Sequence, residues 1–323
     1  MILSEVMEFY GIERDFQRCG FFETEQHRQL MKAIRPALLS GKLVAVTGLV
    51  GSGKTRFLHR FEAALKEEGR FIVARSLSVD KERTTLTTLI TALFYDLSSD
   101  KTPKIPQGEE RERALRELVR RGRKPVVLIV DESHDLHPKT LVGLKRLMEL
   151  VADGGGTLAI VLTGHPKLRN DLRRPTMEEI GSRSALFAHE GIGEDRRAYI
   201  TWLVGACAVK GVPVAAMIEE AAIGLLADRL RTPLQIEQYL DLAFEHGFRS
   251  GVKPITAEVV ETVLSRQLDD LEPRLTRHGY NVRNLAAQFH TKPAEIRQFL
   301  RGALDQQRTH ELTEQMRAAG LPL

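Results

Sequence analysis

The residues able to do chemistry lie in a few short stretches. GLVGSGKT, residues 48–55, has four residues between Gly48 and Gly53 and then Lys54 and Thr55, the spacing of a phosphate-binding loop. Gly48, Gly51 and Gly53 let the backbone curl so that successive N–H groups face a polyphosphate. Gly48, Val50, Gly51, Ser52, Gly53, Lys54, Thr55 and Arg56 form the candidate ATP-binding set. Lys54 is expected to reach the outer phosphates, and the Thr55 hydroxyl to ligate Mg2+. The helix that starts here adds partial positive charge. A second stretch, PVVLIVDESHDL, ends five apolar residues in Asp131 and Glu132. Asp131 can hold magnesium through water beside Thr55, and Glu132 can polarise the water that attacks a γ-phosphate. In TLAIVLTGHP a polar residue at the end of the apolar run would sense that phosphate. Thr163 and His165 both qualify, and the residues do not choose between them.

Such loops work only at the ends of strands. KLVAVTG, residues 42–48, is a short β-branched run that reads as a buried strand, followed by a helix with Phe57, Leu58, Phe61 and Leu65 on one face. Residues 70–74 read as a second strand, 84–97 as a helix, 100–108 with two prolines as an exposed linker, and 109–123 as a charged helix. The unbroken apolar run 126–130 belongs in the middle of a parallel sheet, buried on both faces. A helix over 139–151, a turn at 153–156 and a further strand follow. This alternation predicts an α/β three-layer domain with a parallel sheet. Ahead of it, residues 25–41 read as a helix with Leu30, Ile34 and Leu38 as its stripe and Gly41 as its stop.

At 323 residues the chain has room for two or three domains, and 42% hydrophobic with 28% charged residues is ordinary globular composition. Its longest apolar runs are too short to cross a bilayer, and residues 1–15 show no signal-peptide pattern, so a cytoplasmic protein without a membrane partner is expected. Cys19 and Cys207 lack CxxC spacing and read as free thiols in a reducing compartment. A net charge of +4 and a pI near 9.1 lean mildly toward a nucleic-acid partner.

GLVGSGKT, VVLIVDESHDL and LTGHPKLRNDL, with FFETEQHRQLMKAI before them, resemble the AAA+ ATPases that assist transposases, the TniB, TnsC and phage Mu B group, and the related ExeA secretion ATPases. The resemblance covers roughly residues 9–250, and the GHPKLR segment narrows it beyond a generic P-loop ATPase. It implies a P-loop AAA+ core over 41–192 after an N-terminal leader and helix over 1–40, then a helical lid over 193–270. Four amphipathic segments between 194 and 267 suit that lid. Arg183 matches the position of an arginine finger that completes a neighbour's active site, with Arg173 and Arg174 as alternatives. Relatives often carry Gly-x-Pro-Arg at the start of the third lid helix. Here the stretch is Arg231-Thr232-Pro233-Leu234, so a leucine stands in place of the nucleotide-sensing arginine, and Arg231 or Arg229 would have to substitute.

Residues 271–323 lie outside the ATP motifs and form a small all-helical C-terminal module. Between Arg274 and Arg308 there are seven Lys/Arg against two acids. Leu285, Ala286, Phe289, Ile296 and Phe299 fall where a helix-turn-helix places its core, and Pro293 suits the first turn of its second helix. That helix would carry Lys292, Arg297 and Arg301 toward DNA. His290 stands where the motif usually has glycine. Docking onto a partner protein is the alternative use of such a module. Together these readings describe an oligomeric ATPase, ring or filament, that binds double-stranded DNA with little sequence preference in its ATP state. It would recruit or activate a transposase or integrase and be reset by hydrolysis. An ExeA-like secretion ATPase and a nucleotide-dependent signalling or defence scaffold are the competing readings.

Overall fold

The computed structural model describes residues 3–77, 84–100, 102–174, 177–181, 184–264, 271–300 and 304–323. Backbone contacts divide the chain into two units. One comprises residues 28–48 and 54–189; the other comprises 1–27, 49–53 and 190–323.

The first unit is built on five parallel strands, β1 (Leu43–Thr47), β2 (Ile72–Arg75), β3 (Val126–Val130), β4 (Leu158–Gly164) and β5 (Ser184–Ala188), in the order β2-β3-β4-β1-β5. All residues of β1, β3 and β4 are buried. Because side chains alternate across a strand, both faces of the sheet must be covered. On one face Leu43, Leu128, Ile160 and Leu162 pack with Leu89, Leu93, Leu115, Leu144 and Leu147 from helices Leu86–Leu97, Glu109–Gly122 and Pro138–Asp153. The alternate residues Val44, Val46, Val127, Ile129 and Val161 are also fully buried. Thr85 caps its helix by accepting from Thr88 N, and His137 with Pro138 starts the helix after β3. β5 lies in a stretch not expected to be a strand. Its residues are at most partly buried at the sheet edge, and its short run Ala185–Ala188 has none of the β-branched residues that mark the interior strands.

The other unit is helical. Helices Arg196–Cys207, Glu220–Arg229, Pro233–Arg249 and Ala257–Val263 share a core that includes Leu203, Leu226, Leu240, Phe244 and Val260. The N-terminal helix Ser4–Tyr10 belongs to the same core through Val6 and Tyr10. Tyr10 donates to Val252 O at 2.6 Å, and burial pushes its hydroxyl pKa up to about 12. Cys19 and Cys207 are not free thiols: they form a disulfide with Cα atoms 6.7 Å apart. Their separation of 188 residues hides the pairing from any reading of local spacing.

In the same unit, helices Leu271–Arg277, Val282–Gln288, Pro293–Leu300 and Gln306–Ala318 enclose a smaller core of Leu275, Tyr280, Leu285, Ala286, Ile296, Phe299, Leu312 and Met316. Phe289 is partly buried against it. Among the described residues no helix is long and apolar enough to cross a membrane.

Candidate functional site

Strand register explains which side chains meet. β3 and β4 pair with Val130 opposite Leu162, so the next residues, Asp131 and Thr163, emerge side by side at the carboxyl end of the sheet. Thr163, fully buried, donates its hydroxyl to Asp131 Oδ1 at 2.5 Å. Thr55 donates to Asp131 Oδ2 at 3.0 Å, and the Glu132 amide donates to Oδ1 at 2.9 Å. Asp131 thus joins the helix start after β1, the end of β3 and the end of β4 in one polar cluster. The ends of β1 and β4 are also tied by Gly48 N–H donating to Gly164 O at 3.1 Å.

The loop has the backbone that its glycines anticipate. Gly51 and Gly53 adopt φ of 76° and 93°, the left-handed region that other residues enter at a cost. Gly51 is constrained twice, because a Cβ there would lie 2.5 Å from Leu234 Cβ. Leu234, the residue in place of the expected arginine, also donates its backbone N–H to Gly51 O at 3.2 Å. Leucine therefore meets this loop through backbone and an apolar side chain rather than a guanidinium. Arg229 and Arg231 line a cavity of about 510 Å³ together with Leu49, Arg274, Arg277 and His278. Val50 N–H donates to Arg277 O at 2.7 Å. Ser52 is buried, and Arg56 lies in the first turn of helix Lys54–Glu68.

Lys54 is 6% exposed and donates from Nζ to Gly48 O at 2.9 Å. Burial pushes its pKa down to about 8, against the opposing pull of the Glu132 and Asp131 carboxylates. A buried ammonium that follows left-handed glycines in the chain and faces two acids is a fit cradle for a polyphosphate and its cation. Thr55 and Asp131 supply the hard oxygen donors that Mg2+ takes.

Glu132 has φ 56° and ψ 35°, a left-handed conformation costing a non-glycine residue about 1–2 kcal/mol. It leaves the Glu132 side chain 48% exposed. Two histidines stand beside it. The rings of His134 and His165 face each other with centroids 3.7 Å apart. Burial pushes the His165 pKa down to about 3, helped by His134 and Lys54, and burial also lowers that of His134 against the pull of Asp135 and Glu132. Burial thus favours the neutral form of both rings. Of the two sensor candidates, Thr163 touches Asp131, whereas His165 stacks on His134. His134 lies inside the VVLIVDESHDL stretch, but sequence reading gave it no role. The available signal was its spacing, two residues after Glu132, matching His165 two residues after Thr163.

Arg183 and Arg301 lie outside the described residues. Arg173 is exposed, and Arg174 pairs with Asp171 at 2.9 Å. Lys292 and Arg297 are exposed, at and on helix Pro293–Leu300. His290 has φ 50°, so histidine takes up the left-handed turn that favours glycine.

This sheet order and glycine loop define a P-loop α/β fold of the AAA+ type, and known proteins share it. A family model described as "AAA domain" matches residues 37–172. General secretion pathway protein A of Aeromonas hydrophila is 30% identical over 165 residues, which are 50% of this chain and 29% of that protein. The chain therefore spans less than a third of that relative. The ORC2 protein of Aeropyrum pernix, solved as ADPNP–ADP complexes, superposes with a TM-score of 0.57 at 15% identity, covering 96% of this chain and 91% of that one. The Drosophila ORC bound to DNA gives 0.52 at 13% identity, covering 97% and 83%. At these identities the likeness is one of fold.

Proposed function

We propose that the chain is a Mg2+-dependent ATPase used as a switch, whose ATP state assembles and binds duplex DNA through the C-terminal module. The observation that carries the ATPase half is Asp131 holding Thr55 and Thr163 at once, with Glu132 the next residue. In this reading Lys54 and the loop amides hold phosphate charge, and Thr163 fixes the Asp131 carboxylate. Glu132 accepts a proton from, or orients, the attacking water. Magnesium, when bound by Thr55 and Asp131, would neutralise charge on the phosphates. Arg183 from a neighbouring subunit is the finger in this reading.

The DNA half is supported by the left-handed His290 turn with exposed Lys292 and Arg297 beyond it. The fold shared with an ORC solved on DNA is consistent with it. Its specific form is target-DNA binding that recruits or activates a transposase. The 30% identity to a general secretion pathway protein favours a second reading, an ATPase serving secretion. Both predict ATP hydrolysis; DNA separates them. Duplex DNA binding measured with ATP, ADP and no nucleotide should show tight binding only with ATP. No DNA affinity in any state would remove the DNA half and leave the secretion reading.

A further inference from the structure

One carboxylate and two imidazoles converge beside the nucleotide cluster in a way that ATP chemistry does not require. Ligand atoms of Glu132, His134 and His165 all lie within 4.8 Å of one another. The His134 side chain is only 7% exposed. Its Nε2 faces Asp135 Oδ2 at 3.5 Å and Glu132 Oε2 at 3.8 Å, while its Nδ1 is buried with no hydrogen-bond partner among the described residues. His165 Nδ1 is likewise buried and unpartnered among them. Buried polar atoms are nearly always satisfied, so two orphaned imidazole nitrogens on facing rings point to a missing partner.

We propose that Glu132, His134 and His165 form a three-ligand site for a borderline transition-metal ion of the Zn2+ class, and that its occupation withdraws Glu132 from water activation. The second half rests on the reading of Glu132 as the water-orienting carboxylate. Mixed nitrogen and oxygen donors suit Zn2+, whereas Mg2+ prefers oxygens alone and has Thr55 and Asp131 for that purpose. Donors at 2.0–2.1 Å from a tetrahedral centre stand about 3.3 Å apart, so modest side-chain rotation from the present spacing completes the site. Three protein ligands leave a fourth position open, the pattern of an exchangeable ion rather than a sealed structural one. Asp135 beside His134 Nε2 is the kind of carboxylate that orients a ligating imidazole.

The test titrates the nucleotide-free full-length chain with Zn2+ by calorimetry, then with Co2+ while recording its visible spectrum. One Zn2+ per chain is expected, with Co2+ giving the absorption of a low-coordinate site. His134→Ala and the exposed-site variant Glu132→Gln should each weaken Zn2+ binding at least tenfold. Glu132→Gln keeps the test valid if removing a buried ring harms folding. Equal Zn2+ affinity in wild type and in a folded Glu132→Gln protein would overturn the site. In a second arm, Zn2+ is added to the ATPase assay at fixed saturating Mg2+ and ATP. Each protein's rate is expressed against its own Zn2+-free rate. Half-inhibition should require at least tenfold more Zn2+ for His134→Ala than for wild type. Zn2+ bound at the triad with turnover unchanged would overturn the withdrawal of Glu132. Full turnover by Glu132→Gln without zinc would instead overturn the catalytic reading of Glu132, and leave the binding result standing.

Discussion

Thr163 and Asp131 are joined by a 2.5 Å hydrogen bond from hydroxyl to Oδ1, and the β3–β4 register makes it so by placing the two residues on adjacent strand ends. Thr163, one of the two phosphate-sensor candidates, thereby holds a carboxylate whose other oxygen already meets Thr55. Valine is close to threonine in shape but lacks the donor. Thr163→Val should therefore weaken Mg2+ affinity or turnover by roughly 10- to 100-fold, as loss of an outer-shell partner does. ATPase rates measured across a Mg2+ titration check this. An unchanged Mg2+ requirement and rate would show that Thr163 does not support Asp131.

Separate roles for Lys54 and Glu132 predict separate defects. Lys54→Ala should abolish tight ATP binding, because the loop then has no buried ammonium. Glu132→Gln should bind ATP and hydrolyse it slowly, since the amide cannot take a proton. Equilibrium nucleotide binding and steady-state turnover on both variants distinguish these outcomes, and full turnover by Glu132→Gln would exclude it as the catalytic carboxylate.

Lys54 also predicts a pH dependence. Its pKa in the free protein is lowered to about 8, so the ammonium is intact below that pH and is lost above it. A polyphosphate that needs the charged form should bind fully at pH 7 and about tenfold more weakly at pH 9. Titration with a fluorescent ATP analogue from pH 6.5 to 9.5 reads this directly. Affinity that stays flat to pH 9.5 would mean that burial does not depress Lys54 in solution.

How much of this was legible in advance follows the range of each interaction. The glycine turns of the loop and the placing of Asp131 and Glu132 at a strand end were legible because the motifs have fixed local spacing and their strands are continuous apolar runs. Helical periodicity likewise exposed the core of the C-terminal module, where Leu285, Ala286, Ile296 and Phe299 are buried. What stayed hidden depends on register or distant packing. β5 is a half-buried edge strand without a distinctive pattern, and the Cys19–Cys207 pairing spans 188 residues. The facing of His134 and His165 requires knowing that β3 and β4 are neighbours. Leu234 read as a missing arginine, yet its N–H and side chain meet Gly51.

That approach of Leu234 to Gly51 is itself testable. Gly51→Ala would place a methyl group against Leu234 at a residue with φ 76°. Left-handed strain alone costs about 1–2 kcal/mol, and the overlap adds to it. A lower Tm and weaker ATP binding are expected together in thermal melts and nucleotide titrations. Wild-type values for both would show that the loop relaxes freely.

If the proposed DNA binding runs through the C-terminal module, the basic residues beyond the His290 turn should set its salt dependence. Every duplex phosphate that the module ceases to neutralise should reduce the log–log salt slope by about 0.9. Arg297→Ala combined with Arg301→Ala should flatten the slope by roughly two units if both touch phosphate, while ATPase activity without DNA persists. DNA titrations at several salt concentrations with ATP present give the slope. An unchanged slope would assign the module to protein docking.

The central claim, that nucleotide state controls DNA binding, is tested most directly on Glu132→Gln, in which ATP would persist through the measurement. Its affinity for a nonspecific duplex is measured at one salt concentration with saturating Mg2+ and either ATP or ADP. ATP can act as a switch only through a difference in affinity between the two states. Binding at least tenfold tighter with ATP, a difference of about 1.4 kcal/mol, is the predicted result. Equal affinity with ATP and ADP, in a protein shown to bind both nucleotides, would contradict the account.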